Sequence, residues 1–207
     1  MDHILELQKY NVSRETISNL EKYVDLLQEW NEHINLVSRN SLADVWFRHV
    51  LDSAQLINYL EVNTKKIIDI GSGAGFPAMV MAILLKESRP QTEIHLTESI
   101  RKKTMFLNAV REELKLDNIF IHNQRIENIV FKNVDVITAR AVSALDTLCA
   151  YAYKICNNNT KMLFLKGKNY VQECESAKQH WQFDEIIHKN QYSEDGVIME
   201  LFNLRKK

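Results

Sequence analysis

An aspartate two residues ahead of three alternating glycines is the strongest chemical signal in this chain: Asp69-Ile70-Gly71-Ser72-Gly73-Ala74-Gly75-Phe76-Pro77. These are three of only five glycines in 207 residues, so the clustering needs a local reason. Glycine adopts backbone angles that other residues avoid, and it admits a ligand where a Cβ would intrude. The spacing is G-x-G-x-G, not the G-x-G-x-x-G of a dinucleotide site. A carboxylate beside the glycines would repel a pyrophosphate but suits the sulfonium and ammonium of S-adenosylmethionine. A tight strand-to-helix turn with no ligand is the plainer alternative. Glu98 follows about 20 residues later, placed to accept both ribose hydroxyls of a nucleoside, one on each carboxylate oxygen. An exposed charge at a strand end is the plainer reading there.

These residues form a site only if strand ends bring them together. The apolar run 65–70 reads as a first strand and 78–85 as the helix after it, with Pro77 where a first helical turn tolerates it. Alternation continues with strands at 93–98, 118–122, 134–138 and 161–165, and helices at 101–114, 144–155 and 170–180. Two closing strands, 183–187 and 197–204, are joined through Glu194-Asp195-Gly196. Five β/α units and a terminal hairpin predict a Rossmann-like, doubly wound α/β sheet, mostly parallel with an antiparallel last strand. Residues 1–62 read as an N-terminal helical extension, and 63–207 as one compact catalytic unit. Ser13 is the expected cap of a helix carrying Ile17, Leu20, Val24, Leu27, Trp30 and Ile34 on one stripe. Ser41-Leu42-Ala43-Asp44 resembles a capping box that opens a second helix reaching Leu60.

In such a sheet the ligand lies beyond the carboxyl ends of the strands. Asp69, the glycines, Glu98, Ile126-Glu127, Arg140 and Lys166 all fall there. An apolar Ile126 could face an adenine, although Arg125-Ile126-Glu127 is also a common surface-helix start. Cations gather on the same edge: Arg101, Lys102 and Lys103 after strand two, Arg140 after strand four, Lys166 and Lys168 after strand five. That is a footprint for a phosphate backbone, which the net charge of −1 would not by itself suggest. Strand four lacks the Asn/Asp-Pro-Pro-aromatic cluster that holds an exocyclic amine for methylation. Arg48-His49-Val50-Leu51-Asp52-Ser53 places bases and an acid on one helix face and reads equally as a structural ion pair or as a catalytic group.

Composition sets the outer bounds. Residues 45% apolar and 26% charged are ordinary for a globular protein with one α/β domain and a modest extension. No apolar stretch approaches the roughly 18 residues of a membrane span, and the first residues lack the basic start of a signal peptide. Cys149, Cys156 and Cys174 are odd in number and contain no C-x-x-C, so neither a disulfide framework nor a metal site is expected. The expected location is a reducing cytoplasm.

From about Trp30 onward the chain resembles the bacterial small-subunit ribosomal RNA methyltransferase G family, also called the glucose-inhibited division protein B family. The shared residues are Trp30-Asn31, Asn35-Leu36, Arg48-His49, Leu51-Asp52-Ser53, the run from Asp69 to Pro77, Glu98-Ser99, Lys102-Lys103, Phe106-Leu107, Arg125, Glu127, Ala139-Arg140-Ala141 and Leu165-Lys166-Gly167. The resemblance implies S-adenosylmethionine-dependent methylation of one guanine N7 in 16S ribosomal RNA. It implies cofactor contacts at Gly71, Phe76, Ile126, Glu127 and Arg140, with Glu98 at the ribose. The implied partner is small-subunit RNA or the assembled small subunit, met by a monomer away from any membrane. Two departures stand out: the family's glycine after Phe-Pro is Ala78, and its Asn-Leu-Thr is Asn35-Leu36-Val37. Guanine N7 carries a lone pair and no proton, so no general base is expected. Lys102, Lys103 and Lys166 would position phosphates and the guanine O6. A small-molecule or protein methyltransferase of the same fold would not need the basic edge. A non-catalytic nucleotide-binding module would not need Asp69, the glycines and Glu98 together, and the loop spacing disfavours a nicotinamide oxidoreductase.

Overall fold

The computed structural model describes residues 2–207. Seven strands form one sheet in the order β3-β2-β1-β4-β5-β7-β6. They are β1 (Lys66–Ile70), β2 (Glu93–Thr97), β3 (Ile119–His122), β4 (Val136–Arg140), β5 (Lys161–Lys166), β6 (Trp181–Lys189) and β7 (Val197–Lys206). The first five run parallel, and β7 enters antiparallel to β5 and pairs antiparallel with β6. Ile67 to Ile70 are all buried, as a central parallel strand covered on both faces requires. The order of the strands reverses at β1 and β4, which opens a crevice at their carboxyl ends.

Among the described residues eight α-helices complete the fold: α1 (His3–Gln8), α2 (Arg14–Asn31), α3 (Arg39–Leu42), α4 (Asp52–Ala54), α5 (Ala78–Ser88), α6 (Arg101–Glu113), α7 (Leu145–Tyr153) and α8 (Tyr170–Ala177). Every residue of α5 from Ala78 to Leu85 is buried, so this helix is apolar all round. It can be so because the sheet covers one side and the N-terminal helices the other. Leu20, Val24 and Leu27 of α2 join α5 and Phe106 of α6 in one core. A second core on the opposite sheet face gathers α7, α8 and the hairpin around Ile68, Ile137 and Phe164. No helix among the described residues is long and apolar enough to cross a membrane.

Four local expectations change. Ser38, not Ser41, caps α3, by accepting the Ser41 backbone N–H at 3.2 Å. The stretch after it is not one α-helix: a π turn (Trp46–Leu51) leads through α4 into a 3₁₀ segment (Gln55–Tyr59). The widened turn places Arg48, His49 and Asp52 in directions that a regular helix would not. The third β/α unit has no α-helix, only a 3₁₀ turn at Ile126–Asn128. Strand β4 also runs to Arg140 rather than stopping at Thr138, so Arg140 ends the strand itself.

The helical segment reaches the glycine loop through one buried side chain. Tyr23 of α2 is fully buried, and its hydroxyl donates to the Ala74 carbonyl at 2.6 Å. Replacing Tyr23 by Phe keeps the ring but leaves that carbonyl unsatisfied. Tyr23→Phe should lower the unfolding free energy by about 1–3 kcal/mol. Urea titration should show a lower midpoint with an unchanged slope.

Candidate cofactor and acceptor site

Asp69 reaches its position because β1 is buried on both faces, so a side chain one residue from the strand's end cannot turn to water. Its Oδ1 accepts the Thr138 hydroxyl of neighbouring β4 at 2.7 Å, and its backbone carbonyl accepts the Thr97 hydroxyl of β2 at 2.8 Å. Its Oδ2 is buried without a partner among the described residues. Burial pushes the carboxyl pKa up to about 7, the Ser72 and Thr138 hydroxyls pull it down, and the Glu98 charge adds to the rise. A carboxyl so placed is held toward its neutral form until a cationic or hydrogen-donating ligand faces it.

The three glycines serve different ends. All have positive φ, at +66° for Gly71, +56° for Gly73 and +101° for Gly75. A Cβ on Gly71 would lie 2.8 Å from Val142, and one on Gly75 would lie 2.8 Å from the Met79 Cβ and 3.0 Å from the Tyr23 hydroxyl. A Cβ on Gly73 would meet nothing nearer than 3.9 Å. Gly73 alone leaves room for something other than protein; its neighbours are glycines because the loop packs on itself. Glu98 is buried and holds the loop as well as facing the cavity. Its Oε2 accepts the Gly73 N–H at 3.0 Å, and its Oε1 accepts the Ile100 N–H at 2.7 Å. One lone pair on each oxygen stays open for further donors.

A cavity of about 540 Å³ is lined by Gly71, Gly73, Phe76, Glu98, Lys103, Arg140, His49 and Val37 among others; Asp69, fully buried, does not line it. His49 is buried and stacked on Phe76, with ring centroids 4.7 Å apart. Neither of its ring nitrogens has a partner among the described residues. Burial, with Arg140 and Arg48 nearby, lowers its pKa to about 3, so the ring is neutral. Val37 stands where a hydroxyl was expected by resemblance. Its N–H and that of Leu36 are both held by Asn31 Oδ1, at 3.0 and 2.9 Å, which accounts for the Trp30-Asn31 signature.

Arg140 forms the far wall. Its Nε meets Asp52 Oδ2 at 3.1 Å, and its Nη2 donates to the Arg48 carbonyl. Asp52 therefore pairs with the sheet and not with the neighbouring bases on its own helix. Ala141, next along, has a φ of +52°, a left-handed conformation that costs a non-glycine residue roughly 1–2 kcal/mol. It belongs to the shared Ala139-Arg140-Ala141 signature, but nothing in its residue type signals this conformation. Beyond Arg140, Ala141 and Val142 opens a second cavity of about 930 Å³, lined by Ser143, Lys166, Glu173, Asn190 and others.

The remaining sequence-derived candidates are dispersed. Lys166 is not free: it pairs with Glu173 at 2.5 Å and donates to the Ser143 carbonyl at 2.9 Å. Lys102 is exposed at the start of α6, and Lys103 sits on the rim of the smaller cavity. Ile126 is buried in the second core and Glu127 is exposed; neither lines that cavity. Tyr23, Thr97, Thr138, Gln55, Asn190 and Glu173 were not legible as site residues, because each matters through a contact distant in sequence.

Comparison with known proteins agrees with this architecture. A family model described as rRNA small subunit methyltransferase G matches residues 16–198. A Bartonella tribocorum protein named ribosomal RNA small subunit methyltransferase G is 40% identical, over 99% of this chain and 99% of its own length. A Rickettsia akari protein of the same name is 40% identical over 94% of this chain and 98% of its own. Among solved structures, a ribosomal protein L11 methylase from Lactobacillus delbrueckii subsp. bulgaricus superposes with a TM-score of 0.60 at 14% identity, covering 74% of this chain and 77% of that one. A SAM-dependent O-methyltransferase from Thermotoga maritima gives 0.59 at 14% identity, covering 89% and 72%. At that identity the likeness is one of fold.

The glycine geometry separates two substitutions that look alike in sequence. Gly73→Ala should leave the fold intact, at a cost of about 1 kcal/mol for the left-handed angle, and weaken ligand binding in the smaller cavity. Gly75→Ala should destabilise more, since its Cβ would strike Met79 and Tyr23. Thermal melting paired with binding calorimetry on both variants checks this ordering.

Proposed function

The chain belongs to the rRNA small subunit methyltransferase G family, and from that premise we propose that it methylates guanine N7 in small-subunit (16S) ribosomal RNA, using S-adenosylmethionine. The observation that carries the cofactor half of this reading is the buried, unpartnered Oδ2 of Asp69, two residues before the glycine loop whose Gly73 lines one cavity with Glu98. When bound, S-adenosylmethionine supplies an electrophilic methyl group. Asp69 would face its cationic methionine portion, and Glu98 the ribose. Gly71, Gly73, Gly75 and Phe76 would form the floor, with Arg140 on the wall. Ile126 and Glu127, which follow β3 on the same sheet edge, would stand toward the base.

The acceptor half rests on which groups surround the wall between the cavities. His49 is held neutral and too weakly basic to take a proton near pH 7. Arg140 and Lys166 are cations in ion pairs. Strand β4 ends in Arg140-Ala141-Val142, with no amide or proline cluster to grip an exocyclic amine. Guanine N7 has no proton to lose, so residues that orient the base and exclude water suffice. Lys102 and Lys103, with the exposed Arg39, Arg48, Arg101 and Lys168, offer cations for RNA phosphates around the opening. The protein would act as a cytoplasmic monomer, with residues 1–62 as a helical extension closing the cavity of the catalytic unit 63–207.

Two outcomes test this reading. A raised Asp69 pKa means that the free site is partly protonated at and below pH 7, whereas a cationic ligand selects the ionised form. S-adenosylmethionine affinity should therefore fall as pH drops below about 7, by up to tenfold per unit, and binding there should release a proton. Calorimetry in buffers of different ionisation heat measures that proton. With saturating donor, RNA from cells lacking the protein should acquire one new aniline-sensitive guanine. The single-turnover rate should be flat between about pH 6.5 and 8.5. A rate rising tenfold per pH unit would require a general base and would overturn the N7 assignment.

A further inference from the structure

The larger cavity contains an ion pair that binding of the methyl donor does not use. Lys166 closes β5, and Glu173 lies in α8; their charged atoms meet at 2.5 Å. Glu173 Oε2 accepts both this ammonium and the Leu145 N–H at 2.9 Å, so its two lone pairs are engaged. Oε1 has no partner among the described residues, and the ammonium, bonded to Ser143 and Glu173, has one N–H to spare. The cavity wall thus presents a donor beside an acceptor.

Purine edges differ in that order. Guanine shows the O6 acceptor beside the N1–H and N2 amine donors; adenine shows a donor amine beside the N1 acceptor. Guanine complements the Lys166–Glu173 pair, while adenine sets donor against donor and acceptor against acceptor. We propose that this cavity is the acceptor-base pocket, in which Lys166 donates to guanine O6 and Glu173 Oε1 accepts from N1–H and the N2 amine. The proposal rests on the guanine N7 reading above and adds how the base is chosen. Its volume of about 930 Å³ accommodates an extruded nucleotide. Both contacts lie on the Watson–Crick edge and leave the N7 lone pair uncovered, as the reaction demands. Arg140, Ala141 and Val142 line both cavities, so the base pocket adjoins the donor cavity along these three residues, where N7 would have to reach the methyl group.

The test compares guanine with inosine, which lacks only the N2 amine. Wild-type protein first maps the modified guanine by aniline cleavage; if no guanine is modified, the N7 reading fails and the base pocket with it. Small-subunit RNA is then assembled by ligation with guanosine or inosine at that position, and single-turnover rates are measured on each. Wild type should prefer guanosine by about tenfold or more. In Glu173→Gln, which keeps an acceptor for the Leu145 N–H, the preference should fall to within about twofold; Glu173→Met should behave likewise, with retained S-adenosylmethionine binding showing that each variant is folded. A merely structural Glu173 would slow both RNAs equally. An unchanged ratio in the variants, or no preference in wild type, would move the base pocket elsewhere while leaving the N7 reading intact.

Discussion

The ion pair between Asp52 and Arg140 joins the three parts of this molecule. Asp52 belongs to the N-terminal helical stretch and Arg140 to the end of β4, while Asn190, in the turn between β6 and β7, donates to Asp52 Oδ1 at 2.5 Å. Gln55 bridges Asp52 and Asn190 at 3.1 and 3.0 Å. Burial raises the Asp52 pKa and lowers that of Arg140, in both cases more strongly than the partner charge opposes it. The pair is therefore a device for geometry more than a source of net stability. Loss of one member would still be severe, at about 3–5 kcal/mol, because the other would remain buried and unpaired.

That geometry shapes the crevice. A sheet of this order opens at the ends of β1 and β4 whatever surrounds it, but an open crevice is wet. Here the helical stretch folds over it, with His49 on Phe76 and Arg140 above the same ring at 5.8 Å. The strained Ala141 follows at once, turning the chain so that residues 140–142 separate two cavities. Strain at that point is sustained by the packing on either side, as is usual where backbone conformation serves a site.

Burial also sets the electrostatics. Asp69, just before the glycine loop, and His49, on the smaller cavity's lining, are both buried, and low polarity drives both toward their neutral forms. For Asp69 this creates an unmet demand for a cation; for His49 it removes a base from neutral pH. The same loss of water thus prepares the cavity for a positive ligand and for a reaction that moves no proton. The basic residues that face solvent do separate work, and their charge is screened beyond about 8–10 Å in physiological salt.

Sequence alone determined the class of fold, since apolar period, glycine punctuation and strand spacing are local properties that burial on a sheet enforces. It also marked Asp69, Gly73 and Glu98, whose types are unusual for their positions. Local pattern could not tell why each glycine is present: Gly71 and Gly75 answer to Val142, Met79 and Tyr23, which only folding brings near. Nor could it foresee that Lys166 would be tied to Glu173, or that Asp52 would choose Arg140 over the bases on its own helix. The stretch from residue 42 to 60 departs from one regular helix for the same reason. Its propensity favours regular turns, but Arg140 and Asn190 hold Asp52, and the π turn accommodates them. Element type follows from residues a few positions apart, whereas partner, protonation and strain depend on what is buried alongside, and the tertiary structure alone decides that.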